Sequence, residues 1–183
     1  MSDLDIERAR DGDVDAFVAL IEQRQEQMVR VASAILGNRQ DADDAIQEAL
    51  VSIWRDLPRL RASARFDAWA DRILVNACRL VLRRRGRRSV REIPSSDSND
   101  GLQAAQRVAG DDQHELTASR DAFRRAFERL DVEQRALVVL RHLEDRSIGE
   151  IAAVLEIPEG TVKSRLFTAR RALEVALDRE ALP

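Results

Sequence analysis

The chain has 183 residues, of which 34% are charged and 44% hydrophobic, and its formal net charge is −3. This balance is typical of a soluble globular protein, and no apolar run approaches the ~20 residues of a membrane span. A single cysteine, Cys78, excludes an internal disulfide framework, and the two histidines, His114 and His142, lie too far apart to suggest a metal site.

The acidic N-terminal segment lacks the apolar core of a signal peptide. The sequence also contains no glycine-rich phosphate loop and no constellation of catalytic residues. We therefore expect a cytoplasmic, mostly helical protein without catalytic residues, cofactor or metal.

The charge is unevenly distributed along the chain. Residues 1–78 carry 15 acidic and 10 basic groups, whereas residues 79–91 contain seven arginines and no acid. Residues 92–122 are acidic again, with seven acidic and two basic groups. Segregated blocks of this kind suggest charged partners, and the arginine block is where phosphates would bind. A solvated helix end is the alternative interpretation of that block.

Helical periodicity dominates the apolar pattern, and no segment alternates convincingly like a β-strand. Three helices are predicted in the first half, over about residues 13–36, 40–56 and 66–85. Gly37-Asn38 would end the first helix, Leu57-Pro58 the second and Gly86 the third. A loop over residues 59–65 precedes the third helix.

Residues 92–115 are rich in Ser, Asp, Asn and Gly and poor in large apolar side chains, which is typical of a linker. Helices resume near Leu116. The pattern therefore predicts an all-α fold with two small helical domains, an N-terminal bundle (1–91) and a C-terminal helix-turn-helix domain (116–183). The flexible acidic linker, residues 92–115, joins them.

The last 60 residues contain two local start signals for helices. Asp131 with Gln134, and Ser147 with Glu150, have the spacing of capping boxes. They predict helices over about residues 132–143 and 148–155. A short turn over residues 156–158 then leads to a final helix ending near Leu177.

The short helix, turn and long helix have the pattern of a helix-turn-helix. Four apolar residues of the last helix share one face, with spacings of 4, 3 and 4: Val162, Leu166, Ala169 and Leu173. The opposite face carries Gly160, Ser164, Phe167 and Arg171, with Lys163 beside it. A neutral-to-basic face with an exposed aromatic ring suits the DNA major groove. A plain helical hairpin with a solvated basic face is the alternative.

The third helix has a polar stripe bordered by an aromatic residue. The stripe consists of residues spaced 4, 3 and 4: Arg72, Asn76, Arg79 and Arg83. Trp69 lies at its edge, and an aromatic ring beside cations suits single-stranded nucleic acid, where bases stack and phosphates pair. Alternatively, Trp69 is a core residue. The apolar stripe of the same helix, which includes Leu80, is expected to face the core.

The second helix begins with a cluster of acids, Asp41, Asp43 and Asp44, followed by Gln47 and Glu48. Carboxylates in a first turn complement the helix dipole, which accounts for them without a partner. However, Asp44, Gln47 and Glu48 lie near one another around the helix. Such a patch would repel DNA and could bind a basic protein surface. The apolar stripe of this helix includes Trp54.

Three segments in this order resemble a bacterial RNA polymerase sigma factor of the small extracytoplasmic-function type. DADDAIQEALVSIWR (41–55) is similar to the helix that binds core polymerase. FDAWADRILVNACRLVLRRRGRR (66–88) is similar to the segment that melts the promoter and recognises the −10 element. Residues 130–173 are similar to the domain that reads the −35 element.

The resemblance implies roles for individual residues. Asp41, Asp43, Asp44, Gln47 and Glu48 would bind the clamp coiled coil of the polymerase, whose flap is a further expected contact. Phe66, Trp69, Arg72, Asn76, Arg79 and Arg83 would contact and melt the −10 region, with the loop 59–65 helping to hold a flipped base. Thr161, Lys163, Ser164, Phe167 and Arg171 would read the −35 element. An anti-sigma factor is a further expected partner, and the protein itself would not insert into a membrane.

Departures from the family pattern occur at a few positions. Glu156 stands in the turn where glycine is usual, and a left-handed backbone there would cost a non-glycine residue ~1 kcal/mol. Ala70-Asp71 follows Trp69, where large apolar or aromatic residues are usual, and the chain contains no tyrosine.

Two other functional hypotheses remain at this point. A stand-alone helix-turn-helix regulator would dimerise on a two-fold DNA site without polymerase, but it would not need the acidic helix or the 72–83 stripe. An interaction protein that sequesters another regulator through the acidic helix would not need the recognition face.

Overall fold

The computed structural model describes residues 3–60, 62, 65–89 and 113–181. These residues form nine α-helices and one 3₁₀ turn, with no strand in the described ranges. The helices are α1 (Asp3–Arg10), α2 (Val14–Glu22), α3 (Gln25–Leu36), α4 (Arg39–Asp56), α5 (Phe66–Ser89), α6 (Gln113–Glu128), α7 (Val132–His142), α8 (Ile148–Leu155) and α9 (Glu159–Ala181). The predicted all-α fold class is confirmed.

The antiparallel neighbours α4 and α5 form the centre of the N-terminal half. Ala42, Ala45, Ala49 and Ile53 share one face of α4 and are buried, and Leu74 and Cys78 of α5 are buried as well. The small alanine side chains allow the two helices to approach closely. Asn38 caps α4 by accepting a hydrogen bond from the Asp41 backbone N–H at 2.8 Å, and the 3₁₀ turn Leu57–Arg59 follows its end. The predicted bounds of this helix are confirmed to within one residue.

The single helix predicted over residues 13–36 was wrong, because α2 and α3 are separate helices. The helical conformation is interrupted at residues 23–24, where Arg24 turns inward and is 6% exposed. Its guanidinium pairs with Asp67 and Asp71, which belong to α5. Tertiary ion pairs therefore accompany this break. The helix α1 was not predicted, although Ile6 and Ala9 are buried in the core.

The predicted end of the third helix at Gly86 was also wrong, because α5 continues to Ser89. Apart from the neighbouring residues and the backbone of the helix itself, a Cβ at Gly86 would meet no atom within 4 Å, so this glycine lies on an open side of the helix. Glycine inside a helix costs about 1 kcal/mol relative to alanine and does not by itself end the helix. Leu80, assigned to the apolar stripe, is 42% exposed.

The predicted linker lies mostly outside the described residues. Its last three residues, 113–115, are the start of α6, so helical structure resumes earlier than predicted.

The C-terminal half follows the predicted capping signals closely. Both capping boxes, Asp131 with Gln134 and Ser147 with Glu150, are formed. They start α7 and α8 at the predicted residues, and α9 begins at Glu159 as predicted but extends to Ala181. The predicted helix-turn-helix, α8–turn–α9, is therefore confirmed.

The two halves pack against each other around a continuous apolar cluster. Helix α7 contacts α3 and α5, and α8 contacts α5. The cluster includes Ile35, Leu74 and Val75 from the N-terminal half and Leu137 and Ile151 from the C-terminal half. In the described part of the chain, no helix combines the length and apolar character needed to cross a membrane.

Candidate functional site

The outer face of α9 is presented to solvent as predicted. Lys163, Ser164 and Arg171 are exposed, and Phe167 is 68% exposed. On the inner face Val162, Leu166 and Ala169 are buried, and Leu173 is half-buried. An aromatic ring with this exposure keeps most of its surface open and is available for an apolar partner. The geometry therefore fits insertion of this face into a groove.

One polar side chain of this face, that of Ser164, is partly engaged within the helix. The Ser164 hydroxyl donates a hydrogen bond to the backbone oxygen of Thr161 at 3.0 Å. Thr161 itself is half-buried. The Ser164 oxygen keeps its acceptor capacity, so this side chain can still accept a hydrogen bond from a base edge.

The turn before α9 keeps its geometry despite the missing glycine. Glu156 adopts the left-handed conformation, with φ 52° and ψ 44°, and its N–H bonds to the Ala152 oxygen. The Glu156 carboxylate pairs with Arg72 of α5. A charged residue at this position can therefore make an ion pair that glycine could not.

The polar stripe of α5 is only partly open, contrary to the sequence expectation. Asn76 and Arg83 are exposed. Arg79 donates to the Asn76 side-chain oxygen at 2.9 Å and to Glu133 of α7 at 2.9 Å, and Arg72 is held by Glu156. The C-terminal half therefore covers two of the four residues of the stripe.

Phe66 does not form an open base pocket. Its side chain is fully buried, its ring centroid lies 6.0 Å from that of Trp69, and the Arg24 guanidinium lies 5.9 Å from the Phe66 ring. Phe66 is thus a core residue that supports Trp69, which is partly buried at the edge of the apolar cluster. The loop 59–65, assigned to the same pocket, lies partly outside the described residues.

The acidic patch of α4 is narrower than predicted. Asp43, Asp44 and Gln47 are exposed, whereas Asp41 pairs with Arg85 at 3.3 Å and Glu48 pairs with Arg84. These ion pairs line an open groove between α4 and α5. The arginine block of α5 therefore neutralises part of the patch, and the outward-facing part is centred on Asp44 and Gln47.

The same face of α4 continues into exposed apolar side chains that the sequence analysis did not assign to a site. Val51 is 65% exposed and Trp54 is 38% exposed, with the Trp54 ring edge-to-face against Phe17 at 4.9 Å. The signal was present, since Asp44, Gln47, Val51 and Trp54 follow helical spacing. The apolar pattern predicts a core position for Trp54, because an apolar residue at such spacing is usually buried.

Comparison with known proteins decides the family. Residues 20–88 match the family described as Sigma-70 region 2, and residues 120–173 match Sigma-70, region 4. The ECF RNA polymerase sigma factor SigM of Mycobacterium tuberculosis is 38% identical over 162 residues, which cover 88% of this chain and 77% of SigM. The ECF RNA polymerase sigma-E factor of Escherichia coli is 33% identical over 178 residues, covering 92% of this chain and 90% of that protein. The chain belongs to the extracytoplasmic-function (ECF) sigma factors of RNA polymerase.

Solved structures share the fold. CnrH, in complex with the cytosolic domain of CnrY, gives a TM-score of 0.67 at 24% identity and covers 98% of both chains. The sigma factor RpoE of Bartonella quintana, in complex with the anti-sigma factor NepR, gives a TM-score of 0.64 at 24% identity and covers 88% of this chain and 96% of that one. Family membership makes this ECF sigma factor a transcription initiation factor that acts with RNA polymerase. Membership of this family excludes the hypothesis of a stand-alone regulator.

A buried charge cluster joins the two halves of this sigma factor. Asp71 is 4% exposed and pairs with Arg24 and, at 2.8 Å, with Arg146 of the C-terminal half. Burial raises the pKa of the Asp71 carboxyl above its ordinary value, and the two arginines act against that shift. In the sequence, Asp71 stands out only as a departure from an apolar pattern. A polar residue at a core position was the signal that could have identified it.

Among the described residues no cluster of His, Cys, Asp and Glu could hold a metal ion. Cys78 is fully buried in α5.

Proposed function

We propose that this ECF sigma factor works through three separate surfaces of its helices. The exposed face of α4 binds core RNA polymerase, the polar stripe of α5 contacts the −10 region, and the outer face of α9 reads the −35 element. Residues 1–91 and 116–183 form the two functional domains, and residues 92–115 link them. The observation that supports this assignment best is the exposure of Phe167 and Lys163 on a helix whose opposite face buries Val162, Leu166 and Ala169.

The α4 surface suits a protein partner rather than nucleic acid. Asp44 and Gln47 are exposed beside the apolar side chains Val51 and Trp54. An apolar centre flanked by charge is typical of protein interfaces, where buried aromatic residues supply much of the binding energy. Carboxylates at one end of the face would pair with basic residues of the polymerase clamp coiled coil.

The test of this assignment is capture of core RNA polymerase by the purified chain without DNA. Reversing charge in the double variant Asp44→Arg with Gln47→Arg should abolish co-elution, because like charges would meet across the interface. The control Glu7→Arg with Gln23→Arg changes the net charge by the same amount at other exposed positions and should co-elute normally. Normal capture by the α4 variant, or equal loss in both, contradicts the assignment.

The α5 stripe and Trp69 form the proposed −10 surface. Asn76 and Arg83 are exposed in the structure, and Arg72 and Arg79 join them once their carboxylate partners leave. Guanidinium groups would pair with phosphates, while the exposed edge of Trp69 would stack on an unpaired base. Phe66 contributes indirectly, because its ring packs against the Trp69 ring.

The α9 face is the proposed −35 reader. Lys163 can donate to guanine acceptors, Phe167 can pack on a thymine methyl group, and Arg171 can bind a phosphate. Thr161 and Ser164 lie in the first turn and a half of α9, next to the helix N-terminus that favours phosphate. The flap of the polymerase is the expected protein contact of this half.

An anti-sigma factor is the proposed regulatory partner. The support is that two proteins sharing this fold were solved with partners, and one of those partners, NepR, is an anti-sigma factor. The exposed apolar residues of α4 are a suitable surface for such a partner. An anti-sigma factor bound there would cover the surface that is proposed to bind polymerase.

A further inference from the structure

Two arginines of the proposed −10 stripe already hold carboxylates from the other half of the chain. Arg79 donates to the Oε2 atom of Glu133, at the start of α7, at 2.9 Å. Arg72 pairs with Glu156, in the turn between α8 and α9. A carboxylate offers the same pair of acceptor oxygens to a guanidinium as a phosphate does. These glutamates therefore occupy the positions that DNA phosphates would need.

Glu133 also contacts the recognition helix. Its Oε2 atom lies 3.3 Å from the Nη1 atom of Arg165 on α9, in addition to its bond with Arg79. One carboxylate thus lies between an arginine of the α5 stripe and an arginine of α9. The two proposed DNA-binding helices are held together by the same acidic group.

Further ion pairs fix how the halves dock. Arg146 pairs with Asp71 at 2.8 Å, and Arg30 pairs with Glu144 at 2.8 Å, while the Asp71 and Glu144 side chains are each only 5% exposed. The Arg135 guanidinium also donates to the backbone oxygen of Ile35 at 3.2 Å. Buried ion pairs contribute little net stability, but losing one partner is costly, so such pairs select one arrangement over others.

Asp71 is especially informative because its charge is unfavourable without arginine partners. It is 4% exposed, and burial raises its pKa. Arg24 comes from its own half, whereas Arg146 comes from the C-terminal half. An acid at this core position therefore gains part of its stabilisation only when the two halves are docked.

We propose that the C-terminal half is an internal competitor of promoter DNA, which covers the α5 stripe through Glu133 and Glu156 and is kept in register by the Asp71–Arg146 pair. This inference rests on the proposed assignment of the α5 stripe to the −10 region. In the free chain the stripe is occupied, and DNA must displace the two glutamates. The α4 surface stays accessible in the closed chain, since Val51 is 65% exposed and Asp44 is exposed. Polymerase can therefore bind first and DNA second.

The deciding experiment measures binding of the full chain to a fluorescein-labelled single-stranded DNA 20-mer of mixed sequence by anisotropy. Glu133→Gln with Glu156→Gln keeps side-chain size and removes both competing charges. The control Glu7→Gln with Asp11→Asn removes two charges from exposed positions on α1 and the following turn. We expect the first variant to bind about three- to tenfold more tightly than the control, as the loss of two partly exposed ion pairs implies. Equal affinity of the two variants would overturn the proposal.

Two further measurements keep the result unambiguous. Adding Arg72→Ala and Arg79→Ala to the glutamine variant should remove the gain, and a gain that persists would overturn the proposal, because the DNA would then be bound elsewhere. The native chain should have a radius of gyration of ~16 Å in X-ray scattering, as expected for a compact chain of this length. A radius of gyration many ångströms larger would mean that the two halves are not docked, and it would also overturn the proposal.

The proposed function has its own readout. If Arg72→Ala with Arg79→Ala supports initiation by core polymerase as well as the native chain, the −10 assignment itself fails. If that variant loses initiation while the glutamine variant binds DNA like its control, only the internal competition fails.

Discussion

Cys78 lies on the inner face of α5, where its side chain is fully buried. Burial raises the pKa of its thiol to about 12. The thiolate is the reactive form, so this cysteine is chemically protected as long as α5 stays packed. The residue therefore reports on the integrity of the helix that carries the proposed −10 stripe.

The native protein should accordingly resist a disulfide-exchange thiol reagent at pH 8. We expect the Cys78 thiol to react only as fast as the chain unfolds, and to react completely in denaturant. Val51→Cys, at a position 65% exposed in the native chain, is the control and should label at once. Rapid stoichiometric labelling of the native chain at Cys78 would show that α5 is not packed as described.

Some single residues could be assigned from the sequence and others could not. Lys163, Phe167 and Arg171 were placed correctly because the period of one helix decides which side faces outward. The −10 role of Phe66 stays a prediction, because its side chain is fully buried and the sequence pattern does not separate a buried aromatic residue from an exposed one. Asp71 could not be interpreted, since its arginine partners lie 47 and 75 residues away.

At the scale of elements, local capping signals decide most of the C-terminal half. The Ser147 hydroxyl accepts a hydrogen bond from the Glu150 backbone N–H at 3.2 Å, and the Glu150 carboxylate accepts one from the Ser147 N–H at 2.8 Å. The second bond, with Arg146 nearby, lowers the pKa of Glu150. Its contribution to stability is therefore present above the ordinary glutamate pKa and is lost as the pH falls below it.

Ser147→Ala should lower the free energy of unfolding by ~1 kcal/mol, because an N-cap acceptor is lost. Urea unfolding monitored by circular dichroism measures this change. Ser164→Ala is the matched control, since that hydroxyl donates to a backbone oxygen of its own helix and caps no helix end; it should change stability by less than ~0.5 kcal/mol. Equal effects of the two substitutions would mean that the box does not stabilise α8.

Helix starts with a capping residue were predicted accurately because their signal spans only four residues. The separation of α2 from α3 was missed because no glycine or proline stands at residues 23–24. Arg24 turns inward at this break and pairs with Asp67 and Asp71, and such contacts are visible only in the tertiary structure. The end of α5 was predicted wrongly because the sequence does contain a glycine there, but an exposed Gly86 is tolerated within the helix.

At the scale of the whole molecule, the order of the functional segments was predictable but their arrangement was not. The family follows from three motifs in sequence, and the comparisons confirm it over about nine-tenths of the chain. The closed docking depends on pairs such as Arg79–Glu133 and Arg30–Glu144, which are 54 and 114 residues apart. Nothing in local spacing couples such residues, so the covering of the α5 stripe emerged only from the structure.

The central claim is that two DNA-binding surfaces on one chain direct core polymerase to its promoters. The most direct test maps RNA 5′ ends made on genomic DNA by core polymerase reconstituted with the native chain and with Lys163→Ala plus Phe167→Ala. The account predicts that start sites of the native chain share an upstream and a downstream sequence block. The variant should lose selection of the upstream block while it keeps the downstream block and its binding to polymerase. Start sites identical to those of core polymerase alone, or unchanged use of the upstream block by the variant, would contradict the account.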